Sequence, residues 1–218
     1  MQYRAWYGDA IPAEVTKAKD RIFAFVYGLL HSPDYRDRFA ADLKRSLPRI
    51  PRIEPADFAA FAGAGQRLLD LHIGYEDAPL FPLTGVADGV STPIDTVTPS
   101  GPGSADEYGW FAVEKMKWAG KSDKTAIIYN PHLTVTGIPD DAHRYMLGSR
   151  SALEWVLDRY QVKTDKASGI VNDPNDWSRE VGNPRYILDL IAKVTTVSVE
   201  TMVTVDALPP LRIVEDQH

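Results

Sequence analysis

Pro33, Pro48, Pro51 and Pro55 cut the N-terminal part of this chain into separate helical blocks. Proline lacks a backbone N–H and is tolerated in an α-helix only in its first turn. Ahead of these prolines, Val15, Ile22, Phe25, Val26, Leu29 and Leu30 recur at helical spacing among Lys17, Lys19, Asp20 and Arg21. That period predicts an amphipathic helix from Val15 to Leu30. Ser32-Pro33-Asp34 is a restart signal, with a capping hydroxyl, a proline preset for the first turn and a carboxylate favoured by the helix dipole. A second helix is expected to run to about Leu47, with Tyr35, Phe39 and Leu43 on its apolar side, until Pro48 and Pro51 stop it. A third is expected from Pro55 to about Ile73, burying Phe58, Phe61, Leu68 and Leu69. The small residues at Ala59, Ala60, Ala62, Gly63, Ala64 and Gly65 would admit a close neighbour.

Between Glu76 and Tyr108 the composition turns to Pro, Gly, Ser, Thr and Asp, so 76–109 reads as a loop-rich insertion or an irregular hairpin. Strand signals return in Trp110–Met116, Thr125–Tyr129 and Leu133–Thr136, predicting a small antiparallel meander. Asp140 to Leu147 reads as a short helix, and Ser151-Ala152-Leu153-Glu154 has the spacing of a capping box. Asn183-Pro184 opens a final helix expected to reach about Val205, although the β-branched run from Thr195 to Val199 opposes it. The fold class is therefore α+β: a helical N-terminal part, a small antiparallel sheet in the middle and helices at the C-terminal end.

The 218 residues, 44% of them hydrophobic, suit a single domain spanning 1–218 with one substantial core. There is no cysteine, so disulfides and Cys-bound zinc are excluded. The first residues lack a positive start followed by an apolar run, and no stretch is long enough to span a bilayer. A soluble, cytoplasmic protein without a membrane partner is expected. A net charge of -6 argues against a generic polyanion binder, since phosphate neutralisation needs clustered Lys and Arg.

Few motifs of catalysis survive scrutiny. Pro33-Asp34, seven residues and then Asp42-Leu43-Lys44 match the bare pattern of metal-dependent nucleases. Such enzymes set the second carboxylate and the lysine on a strand, whereas the period here puts them in a helix, with Asp42 expected to pair with Arg38. Asn183-Pro184-Arg185-Tyr186 approximates the motif with which amino-methyltransferases grip an exocyclic amine. Arg185 replaces its second proline, no glycine-rich cofactor loop precedes it, and a helix start accounts for Asn183 and Pro184. His31, His72, His132, His143 and His218 are scattered without metal-ligand spacing. No Gly-x-Ser-x-Gly elbow exists, and Gly63-Ala64-Gly65 is too short for a phosphate loop. No metal and no cofactor is expected, and no catalytic residue is assigned.

The basic clusters carry more information. Arg36, Arg38, Lys44, Arg45, Arg49 and Arg52 share one short window, and Lys115, Lys117, Lys121 and Lys124 another. Either would track phosphates, unless Asp34, Asp37 and Asp42 neutralise the first as part of a solvated helix face. The segment from Lys163 to Trp177 carries Lys163, Lys166, Asn172 and Asn175, whose donors and acceptors suit phosphates or base edges. Its Asx-Pro chemistry equally suits a rigid loop packed on Trp155 and Trp177.

Longer blocks decide between these readings. Tyr27 to Arg36, Leu47 to Pro51, Leu69 to Glu76, Ser151 to Val156, Gln161 to Trp177 and Asn183 to Leu190 resemble, in order, the C-terminal specificity domain of Type ISP restriction-modification enzymes. That family is also known as large bacterial helicase-methylase proteins. The resemblance covers about Ile22 to Leu211. It implies a target-recognition module that holds double-stranded DNA for a separate adenine methyltransferase, with translocase and nuclease parts elsewhere in the enzyme. Under it, Arg36, Lys44, Arg45, Arg49, Lys163 and Lys166 are expected at phosphates, with Asn172 and Asn175 as base-reading candidates. The competing readings are a stand-alone nuclease using Asp34, Asp42 and Lys44, a methyltransferase using Asn183 and Tyr186, and a non-catalytic interdomain scaffold.

Overall fold

The computed structural model describes residues 2–214; Met1 and His218 lie outside the described residues. Two compact units emerge, one of residues 2–74 with 201–214 and one of Tyr75–Glu200.

The first unit is helical: α1 (Gln2–Tyr7), α2 (Val15–His31), α3 (Pro33–Arg38), α4 (Ala40–Leu43) and α5 (Pro55–Ile73). The Ser32 hydroxyl caps α3 by accepting from the N–H of Tyr35, and Pro33 occupies its first turn. The expected second helix does not continue to Leu47. It breaks at Phe39, whose backbone (φ -106, ψ 15) leaves the helical region and separates α3 from α4. A tertiary bond accompanies that break: the buried Tyr35 donates its hydroxyl to the carbonyl of Arg49 at 2.8 Å, drawing the following chain back. Helices α2 and α5 touch backbone to backbone. A Cβ on Gly65 would collide with the carbonyl of Ala24, and one on Gly28 with that of Phe61. Tyr7 stacks on Phe58 at 4.3 Å beside Phe25, and Leu29, Tyr35, Ile53 and Phe61 complete the core. The returning C-terminal segment is fastened by Arg212, which grips the buried carboxylate of Asp57 through two nitrogens.

The second unit contains β1 (Thr84–Ala87), β2 (Val90–Pro93), α6 (Glu107–Trp110), β3 (Lys117–Trp118), β4 (Ala126–Ile128), β5 (Leu133–Thr136), α7 (Asp141–Arg144), β6 (Met146–Leu147), β7 (Arg150–Ser151), α8 (Ala152–Arg159), β8 (Lys163–Thr164), β9 (Val171–Asn172), α9 (Asn175–Glu180) and α10 (Tyr186–Asp206), whose last turns belong to the first unit. The order β2-β1-β5-β4-β3 makes an antiparallel five-stranded sheet. Segment 76–109, expected as a loop-rich insertion or an irregular hairpin, supplies the hairpin of β1 and β2. They are joined by Asp88 (φ 49) and Gly89 (φ 77), the Asp-Gly pair that a type I′ turn demands.

The expected strand Trp110–Met116 does not form. Its apolar side chains are core anchors, with Trp110, Phe111, Val113 and Met116 all buried. Side chains satisfy its backbone in place of a ladder. Asn130 donates to the carbonyls of Trp110 and Ala112, Tyr129 donates to that of Phe111, and Asn175 binds both backbone groups of Val113. The capping box at Ser151 and Glu154 forms with both reciprocal bonds. The expected helix from Asp140 stops at Arg144, and Met146 and Leu147 pair with β7. In α10 the β-branched run is helical and buried at Val194, Thr195, Val197 and Ser198, and the hydroxyls of Thr195, Thr196 and Ser198 are satisfied by carbonyls one turn earlier.

Candidate nucleic-acid interface

In the first unit, α3, α4 and the extended segment after them present Arg36, Lys44, Arg45 and Arg49, all exposed. Arg36 is aimed by its own backbone contact, Nε donating to the carbonyl of Leu30 at 2.8 Å. Arg49 is held through its carbonyl by Tyr35. Among the described residues none of these four cations is in an ion pair, and no pair joins Asp42 to Arg38 as expected. The helix break at Phe39 places Asp42 and Arg38 in different helices, which removes their one-turn relationship.

The nuclease pattern is not assembled on a strand. Asp34 accepts from the N–H of Leu211 at 3.0 Å, while Asp42 and Lys44 sit on and just after α4. Among the described residues no group of three His, Asp or Glu side chains is arranged to hold a metal ion. The methyltransferase-like tetrad is engaged in packing. Asn183 caps the N–H of Arg185 at 2.9 Å. Arg185 is half-buried, donates to the carbonyls of Val97 and Ile94, pairs with Asp189 and lies over Phe111. Tyr186 donates to Glu76 at 3.0 Å, and burial first, then hydrogen bonds with Tyr160 and Glu76, push its hydroxyl pKa up.

In the second unit a groove of about 460 Å³ lies between β3 and α8, lined among others by Lys115, Lys117, Trp118, Arg150, Asp158 and Gln161. Sequence reasoning left Arg150 out; its signal is the capping-box start beside it, which fixes where α8 begins. Arg150 and Arg159 flank the Trp155 ring at 5.3 and 5.2 Å. Burial raises the Asp158 carboxyl, but Lys163 and Arg150 outweigh it and hold it below its ordinary value. Lys163 is therefore partly spent, with Nζ 3.7 Å from Asp158 Oδ1 and donating to the Asp158 carbonyl at 3.0 Å.

The groove continues into a hairpin. Lys115 bridges Gln161, and Val162 donates to the carbonyl of Glu114 at 2.9 Å, rooting β8 and β9 beside the sheet. Lys166 sits exposed at the hairpin tip and Asn172 exposed on β9. Asn175 does not join them. It is 7% exposed, and its amide accepts from Val113 N–H at 2.9 Å and donates to Val113 C=O at 2.8 Å and to Asp173 at 2.7 Å. The Asn175 amide is thus engaged inside the unit, away from the exposed Lys166 and Asn172. The structure brings Lys163, Lys166 and Asn172 onto one hairpin, and Arg36, Lys44, Arg45 and Arg49 onto one window of the helical unit.

Exposed cations lie on each unit, the nuclease-like carboxylates are divided between α3 and α4, and the methyltransferase-like tetrad is engaged in packing, the build of a recognition module. The chain belongs to the Type ISP C-terminal specificity domain family, whose model matches residues 9–190. No curated protein matches it. Among solved structures it is similar to a nuclease-deletion mutant of the Type ISP restriction-modification enzyme LlaGI in complex with a DNA substrate mimic, at 40% identity and a TM-score of 0.75 over 90% of this chain and 17% of that one. It is also similar to the ATP-dependent Type ISP enzyme LlaBIII bound to DNA, at 33% identity and a TM-score of 0.75 over 94% of this chain and 12% of that one. A DrdV–DNA complex matches at 32% identity and a TM-score of 0.70, covering 94% of this chain and 19% of that one. The chain therefore spans less than a fifth of each of these three relatives. Among the described residues no helix is long and apolar enough to cross a membrane.

Proposed function

We propose that this chain reads a short site on double-stranded DNA and presents it to the adenine methyltransferase part of a larger Type ISP restriction-modification enzyme, without chemistry of its own. The two units serve as one recognition module in the cytoplasm, and the methyltransferase and translocase–nuclease parts of the same enzyme are its protein partners. Arg36, Lys44, Arg45 and Arg49 contact phosphates from the helical unit, and Lys163 and Lys166 from the hairpin. Asn172 is the base-reading candidate, and Asn175 positions the hairpin root.

The observation that carries this reading is the state of the helical-unit cations, which are exposed and unspent by carboxylates among the described residues. The DNA bound to the similar enzymes supports it, and so does the small share of those enzymes that this chain spans. An acidic total charge is compatible with it, because phosphate contacts need a local surface and are shared with neighbouring parts of the enzyme. The test is selection from a random duplex library by the chain joined to its methyltransferase. A recurring short site is expected, and a selected pool no different from the starting library contradicts the proposal.

A further inference from the structure

Among the described residues strands β8 and β9 have no third strand beside them, and Lys163, Thr164, Val171 and Asn172 are all exposed. A two-stranded hairpin without a packed face is marginal in water, yet the tip of this one is fastened from within. Asp165 Oδ1 accepts from the N–H of Ala167 at 3.0 Å, the N–H of Ser168 at 2.7 Å and the Ser168 hydroxyl at 2.8 Å. Those bonds hold the Asp165 carboxyl below its ordinary pKa. Gly169, at φ +72, turns the chain back.

Register separates the two faces. Lys163 is opposite Asn172, Thr164 is opposite Val171, and directly opposed residues share a face. Lys163 reaches back from its face to the Asp158 carbonyl of α8 at 3.0 Å. The other face carries Thr164 and Val171, while Ile170, whose carbonyl accepts from the N–H of Asp165 at 2.9 Å, and Lys166 stand exposed at the tip. Ile170 is 67% exposed and Val171 57%: two adjacent β-branched side chains held in water on a preformed ribbon.

A protein partner fits this patch poorly, because two aliphatic side chains fall far short of the area a stable protein interface buries. Duplex DNA fits it well. Lys166 and Lys163 complement phosphates, and the major groove admits a two-stranded ribbon. Thymine is the base that offers that groove a methyl group. We infer that the hairpin 163–172 enters the major groove of the DNA target, where Ile170 and Val171 contact thymine methyl groups and Lys166 contacts a flanking phosphate. This rests on the DNA-reading function proposed above and names the apolar side chains that carry part of its specificity.

The test uses the full 218-residue chain at low ionic strength, where weak duplex binding is retained. Wild type is compared with the Ile170→Thr/Val171→Thr double variant, which keeps β-branching on exposed positions and therefore the fold, checked by an unchanged unfolding midpoint. Duplexes of the selected site carry uracil for thymine at one position at a time. Wild type is expected to lose about fourfold in affinity per contacted methyl group at one or two positions. The double variant is expected to ignore the same substitutions while keeping the salt dependence of wild type. A double variant as sensitive to uracil as wild type, a wild type sensitive at no position, or a double variant weakened equally on every duplex overturns the inference while leaving DNA reading intact. A wild type with no preference among duplexes overturns the underlying function instead.

Discussion

Asn175 holds Val113 as a neighbouring strand would, its side-chain amide accepting from the Val113 N–H at 2.9 Å and donating to the Val113 carbonyl at 2.8 Å. Both groups are buried, so Asn175→Ala leaves a backbone donor and acceptor without partners, and unpartnered buried groups cost about 1–3 kcal/mol each. Urea denaturation of Asn175→Ala is expected to show a loss of roughly 2–4 kcal/mol. Asn175→Asp should be little better, because its second oxygen would face the Val113 carbonyl and Asp173. An unchanged midpoint would return Asn175 to the base-reading candidates.

Gly65 and Gly63 lie two positions apart on α5 and should respond in opposite directions. Gly65 meets α2 at its backbone, so Gly65→Ala forces the helices apart and is expected to cost at least about 1–3 kcal/mol, the range of core overpacking. At Gly63 an added Cβ meets only the end of the Arg67 side chain at 3.8 Å. Gly63→Ala should gain up to about 1 kcal/mol, because alanine favours the helix and narrows the unfolded ensemble. Thermal or urea midpoints of the two single variants separate these outcomes.

How much of this was legible in the amino-acid order depends on the range of the forces involved. Helices α2 and α5 were readable to within a residue because capping, proline placement and apolar period are local. So was the capping box of α8. The stretch from Trp110 to Met116 misled because its apolar residues have strand character, whereas its backbone partners, Tyr129, Asn130 and Asn175, lie far along the chain. The burial of Asn175 was hidden for the same reason: it is set by Val113, 62 positions away. Asp88-Gly89 was a local signal for a hairpin inside the supposed insertion. Of the candidate interface, the charges of Arg36, Arg49 and Lys166 were visible, but the pairing of β8 with β9 was not, since two-residue strands carry no alternation.

His72 gives the helical unit a pH dependence. Its Nδ1 lies 2.8 Å from the Tyr27 hydroxyl and its Nε2 2.8 Å from Thr201 Oγ1, contacts that a neutral ring satisfies by accepting from one and donating to the other. Burial, helped by nearby His31, lowers its pKa to about 4, and burial lowers that of His31 as well. Between the unfolded value near 6.5 and about 4 the unfolded chain binds the extra proton, so stability is full at neutral pH and falls as the pH drops through that window. Discounted for the partial exposure of the ring, the loss from His72 is about 1–2 kcal/mol. Urea midpoints from pH 7 down to 4.5 should fall for wild type and fall less for His72→Gln.

The proposed hold of Arg36 and Arg49 on the DNA backbone is read by the salt dependence of duplex binding. With the chain joined to its methyltransferase, log affinity should fall linearly with log salt. Arg36→Gln/Arg49→Gln should weaken binding to all sequences alike and make the slope shallower by roughly 0.9 for each phosphate no longer neutralised. A double variant with the affinity and slope of wild type would contradict the account.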